Sequence, residues 1–93
     1  MTDITIEQLK KAASLKRGAT LVLKNDTSAF HAIAKVDEEK SIVYCLLPEG
    51  VHALNQSEQD IEEIIMIPAN VKLYSFDEIM DAEIPVAVEL SNY

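Results

Sequence analysis

Cys45, His31 and His52 are the side chains of this 93-residue chain best suited to covalent or metal chemistry. A thiol nucleophile needs a base within reach and an electropositive, partly open setting. Cys45 sits instead within "IVYCLL" (42–47), among apolar neighbours, which is the setting of an inert core cysteine. Zinc requires ligands in close pairs, and the chain has no C-x-x-C or H-x-x-x-H spacing. His31 falls on the less apolar side of its segment and reads as a partly exposed surface residue, and His52 as a loop residue. "VDEEK" (36–40) groups three acids but lacks the alternating acids and glycine of a calcium loop, so it reads as a polar hairpin turn. Gly18 and Gly50 are the only glycines, too few for a phosphate cradle. These residues predict a non-enzymatic protein with no cofactor and no metal site.

The carboxylates point elsewhere. "NQSEQDIEEII" (55–65) holds Glu58, Asp60, Glu62 and Glu63 with no basic residue among them, and "FDEIMDA" (76–82) adds Asp77, Glu78 and Asp81. The net charge is −8, unevenly placed: residues 1–40 carry seven bases and six acids, residues 41–93 ten acids and the single base Lys72. Glu58 with Glu62, and Asp77 with Asp81, are four apart, a spacing that sets Cβ atoms about 5–6 Å apart on one helix face. That is comparable to the separation of phosphates along a nucleic-acid strand. Like charges so placed cost a few tenths of a kcal/mol. The same acids also suit the first turn of a helix and an ordinary solvated face, so a bland reading stands beside the functional one. Glu58, Glu62, Glu63, Asp77, Glu78 and Asp81 are the expected partner-binding residues. The expected partner is a basic protein, a nucleic-acid-binding protein among the target classes, with this chain as its inhibitor or regulator. Nucleic acid itself and anionic membranes are not expected partners, because a net negative chain is repelled by both.

Several elements must position these acids. Thr5 and Gln8 have capping-box spacing, and Ile6, Leu9 and Ala13 recur at helical intervals, which predicts a helix over 5–17 closed by Gly18. "ATLVLK" (19–24) predicts a strand ending in the turn formers "NDTS". In "SAFHAIAKV" (28–36) Phe30, Ala32, Ala34 and Val36 share one face, opposite His31, Ile33 and Lys35. "SIVYCLL" (41–47) reads as a central strand covered on both faces, stopped by Pro48 and Gly50. "VHALNQ" is ambiguous. Ser57 is the expected cap of a second helix with Ile61, Ile64 and Ile65 inward, ending before Pro68. "ANVKLYS" predicts a strand with Val71 and Leu73 facing the core. Ser75 and Glu78 predict one or two helical turns over "FDEIMDA". "IPVAVEL" (84–90) predicts an edge strand, since Pro85 lacks a donor.

This order implies one compact α+β domain over 1–93, with a mostly antiparallel sheet of about five strands, an N-terminal helix and a short acidic second helix. Pattern alone leaves an open two-layer sandwich and a small barrel equally available. A lone cysteine, a start without a signal peptide's basic and apolar run, and short apolar stretches predict a cytoplasmic protein. The alternative function is a homo-oligomeric structural or assembly subunit, a homodimer for instance, pairing through an edge strand.

Overall fold

The computed structural model describes residues 2–15, 17–56 and 60–84. They form an α+β fold. Helix α1 (Asp3–Ser14) leads into strands β1 (Gly18–Leu23), β2 (Ser28–Asp37) and β3 (Ile42–Leu46). Helices α2 (Pro48–Gln56) and α3 (Ile61–Ile64) follow, then β4 (Val71–Ser75) and β5 (Ile79–Glu83). Single 3-10 turns, Pro68–Asn70 and Phe76–Glu78, precede the last two strands. Every pairing among the described residues is antiparallel, in the order β4-β3-β2-β1-β5, which leaves β4 and β5 at the edges of that sheet. Among the described residues no helix is long and apolar enough to cross a membrane.

Helix α1 starts earlier than the Thr5–Gln8 spacing suggests. Thr2 is the cap: its Oγ1 accepts the Thr5 N–H at 3.2 Å, and Thr5 is buried inside the first turn. The inward stripe is accordingly Thr5, Leu9 and Ala12, while Ile6 and Ala13 are half-buried. The helix ends at Ser14, short of residue 17, and the Arg17 N–H returns to the Ala12 carbonyl at 2.8 Å. Gly18 does not close it in a left-handed conformation, since no glycine has positive φ, and opens β1 instead. A β-carbon there would lie 2.4 Å from Cζ of Phe30, whose ring lies across the glycine.

Strand β2 shapes the sheet. Its first half, Ser28–Ala32, pairs with β1, and its second half, Ala32–Asp37, with β3. Ten residues of straight strand would run roughly 30 Å. Yet the Phe76 N–H donates to Ser41 at the β3 end, and the Glu78 carbonyl accepts from Lys24 at the β1 end, each at 2.9 Å. Three residues reach only about 11 Å. The two ends of β2 must therefore curl toward each other, folding a β5-β1 half-sheet over a β3-β4 half-sheet. A bulge makes the bend: Ile33 pairs with Cys45 and Lys35 with Tyr44, leaving Ala34 as the extra residue.

The bulge also breaks the expected two-face alternation. Before it, Ile33 faces the core and Phe30 points out, 62% exposed. After it, Val36 rejoins the core side opposite Val43. The face of Phe30, Ala32, Ala34 and Val36 read from sequence is thus not one face. Inside the curl, Leu9 and Ala12 of α1 meet Ala19, Leu21, Ile33, Val43, Cys45, Tyr74, Ile79 and Ala82 in one apolar cluster. Each large aliphatic side chain removed from water there contributes about 1.5–3 kcal/mol.

Three further expectations are corrected. On β4, Tyr74 is the core residue at 6% exposure and Leu73 points out at 50%, because Tyr74 pairs with Val43 and Leu73 with Tyr44. "FDEIMDA" is not helical beyond Phe76–Glu78, and Ile79–Glu83 is strand β5. The Ser75 hydroxyl does donate to Glu78 Oε1 at 3.3 Å, but the Glu78 carbonyl is taken by Lys24 and β5 by β1. The predicted second helix shrinks to the four residues of α3, capped by Asp60 and burying Ile64, with Ile61 and Ile65 half-buried. Ser57 and all but Ile84 of the strand expected over 84–90 lie outside the described residues; Ile84 packs against the core.

"VHALNQ" resolves as α2, opened by Pro48 at its first position, where the missing N–H costs nothing. Gly50 is required by contact. A β-carbon there would sit 2.3 Å from the Asn70 carbonyl oxygen, which accepts the Leu47 N–H, while Asn70 Nδ2 donates to the Ile64 carbonyl at 3.1 Å. Backbone cannot step aside as a surface ring can. Gly50→Ala is expected to lower the unfolding free energy by about 1–3 kcal/mol, whereas Gly18→Ala, which meets only the exposed Phe30 ring, changes it by less than about 1 kcal/mol. Urea denaturation of both variants checks this; equal losses would contradict it.

Candidate functional site

The described carboxylates of the second half fall in three places: Glu49 on α2, Asp60, Glu62 and Glu63 at α3, and four more at β5 and its lead-in turn. Asp77 and Glu78 lie on the 3-10 turn that straps the sheet, and Asp81 and Glu83 on β5; all four are exposed. Asp81 pairs with Val22 and Glu83 with Thr20, itself opposite Phe30. Residues paired across a ladder share a face, so Asp81 and Glu83 point away from the core on the side where Phe30 is exposed. Met80, 59% exposed, lies between them and the strap. Asp81 Oδ1 accepts the Ala82 N–H at 2.8 Å. Asp77 and Asp81 do not share a helix face: Asp77 lies on the turn that crosses between the sheet edges, and Asp81 on β5.

Helix α3 is different. Glu62 reaches Lys35 of β2 at 3.3 Å, so a lysine from the first half neutralises it. Glu63 is exposed beside it, and Glu58 lies outside the described residues. The other ion pairs among the described residues join Lys10 to Glu38 and, at 3.9 Å, to Glu7. None involves Asp77, Glu78, Asp81 or Glu83. Of the six residues expected from sequence, Asp77, Glu78 and Asp81 thus fall on β5 and its lead-in turn, where Glu83 joins them. Its signal was the period-two spacing from Asp81, hidden while the segment reads as helix.

A second cluster lies inside the curl. His31 Nε2 and the Tyr74 hydroxyl are 3.2 Å apart, with ring centroids at 5.7 Å, and the Lys72 ammonium stands 5.5 Å from the Tyr74 ring centre. This contact joins β2 to β4 across β3, and it places His31 half-buried with a partner rather than on an open surface. Burial and then the Lys72 charge hold the His31 pKa below its ordinary 6.5. Burial raises the Tyr74 hydroxyl as well. Cys45 is fully buried and its thiol is pushed up to about 12, which leaves negligible thiolate at neutral pH. His52 is exposed on α2 rather than in a loop.

Among the described residues no three His, Cys, Asp or Glu side chains gather as metal ligands. No family model matches the chain, and no curated protein or solved structure is significantly similar to it. The site is thus described by its own geometry: an edge strand and its lead-in turn carrying four exposed carboxylates and an exposed methionine.

The His31 shift has a sign that can be measured. With the folded pKa below 6.5, the unfolded chain binds more protons in that window, so the stability held above pH 6.5 is lost as pH falls through it. Equilibrium unfolding of wild type and His31→Gln across this range should show the steeper acid loss in wild type. Parallel curves would contradict the assignment.

Proposed function

We propose that the protein is a non-enzymatic binding module that docks a basic protein segment along β5, and thereby inhibits or regulates its partner. One observation carries this reading: Asp81 and Glu83 on the edge strand β5, and Asp77 and Glu78 on the turn that leads into it, are all exposed and without ion pairs among the described residues. An edge strand offers a row of backbone donors and acceptors to an added strand, and side chains on alternate positions select what is added. Carboxylates there favour Lys and Arg, and Met80 with the outward Phe30 offers apolar contact beside them. The charge acts mainly on association rate and specificity. A nucleic-acid-binding protein is one class of basic partner that fits.

A second reading has its own support. The edges β4 and β5 belong to one open ladder, β4 carrying Lys72 and β5 Asp81 and Glu83. Two edges of one sheet allow head-to-tail pairing of copies, the route to a homo-oligomer. Light scattering at low and high salt separates the readings, since paired strands would give an oligomer where the first reading gives a monomer.

The first reading makes a salt and mutation demand. The Debye length falls from about 14 Å near 50 mM salt to about 6 Å near 300 mM. Proteins retained by the wild-type chain at low salt should elute across that range and be absent from a bait carrying Asp77→Asn, Glu78→Gln, Asp81→Asn and Glu83→Gln. Because the replaced groups are exposed, that variant should fold as before. Equal retention by both baits would remove the proposal.

A further inference from the structure

A crevice of about 230 Å³ opens beside the β2 bulge, where the C-terminal part of α1, the end of β3, α2 and α3 converge. Its walls include Ala13, Ala32, Ala34, Leu46, Leu54 and Ile61, and the one ionisable side chain among its described lining residues is Asp60. The space follows from small side chains: Ala34 is the extra residue of the bulge, and Ala32 and Ala13 leave room that larger residues would fill. Enclosed apolar cavities of about 150 Å³ take up benzene, so the volume of this partly open crevice is sufficient for a short aliphatic chain. It is smaller than the roughly 300–1,000 Å³ of sites for drug-sized ligands, which argues against a nucleotide or other large ligand.

Asp60 sets the charge preference. It caps α3 without a side-chain capping bond and is exposed, leaving its carboxylate available to a ligand. Among the described lining residues there is no lysine or arginine, and Lys35, next to Ala34, is engaged by Glu62. The net charge of −8 adds a field that gathers cations and repels anions. We propose that this crevice binds a small aliphatic ammonium ion, its hydrocarbon against the alanine, leucine and isoleucine walls and its charge on Asp60. The site lies apart from β5, and nothing in it depends on the edge-docking reading.

The test titrates the full ¹⁵N-labelled chain with n-hexylammonium, 1-hexanol and hexanoate, following amide shifts. Hexylammonium should give saturable shifts centred on Ala34, Leu54 and Ile61, with hexanoate giving none. Asp60→Asn should weaken hexylammonium roughly two- to fivefold and leave hexanol unchanged, the size of one exposed ion pair. Ala34→Leu should fill the space and abolish the shifts; if that variant does not fold, Asp60→Asn on its exposed site decides alone. The absence of saturable shifts, shifts elsewhere, equal binding of hexanoate, or indifference to Asp60→Asn would overturn the proposal.

Discussion

The hydrogen bonds from Phe76 to Ser41 and from Lys24 to Glu78 constrain everything else in this fold. Each is worth only about 0.5–1.5 kcal/mol net, far less than the burial of Leu9, Leu21, Val43, Ile64 or Ile79. Their weight is geometric. By tying opposite ends of β2 to one three-residue turn, they allow the long strand only a bent course. The bend needs a bulge, and the bulge at Ile33–Lys35 in turn decides which side chains reach the core. It also places β2 opposite β4, which is how His31 meets Tyr74.

The same strap distributes the charge. The chain crosses from one sheet edge to the other within Phe76–Glu78, so the acids of that turn continue directly onto β5. On α3 the curl has the opposite effect, bringing Lys35 within reach of Glu62. The acid-rich half of the sequence thus has one ion-paired glutamate on α3 and, at β5 and its lead-in turn, acids without ion pairs among the described residues. Curl and charge are consequences of a single constraint.

Much of this was legible from residue patterns, and the failures have physical causes. The α+β class, β1 to β3 and the buried inert cysteine followed from apolar periodicity and turn formers. The helical turns expected over 76–82 stop at Glu78: Ser75 and Glu78 have capping-box spacing and do bond, while a tertiary partner, β1, claims the residues after them. Leu73 and Tyr74 exchanged faces because aliphatic character was allowed to outrank an aromatic ring whose hydroxyl finds a histidine inside. His31 was placed outside for the same reason: its partner is forty-three positions away and no local pattern announces it. Bulges leave no period of their own, so the break at Ala34 was invisible.

The most direct test of the central claim is an amide-shift map of the chain titrated with an extended peptide alternating lysine and valine. The account predicts shifts concentrated on Asp77–Glu83 and on the neighbouring β1 residues Thr20 and Val22, fading by about 300 mM salt. Shifts centred on Glu62 and Glu63 of α3, or a map unchanged by salt, would contradict it.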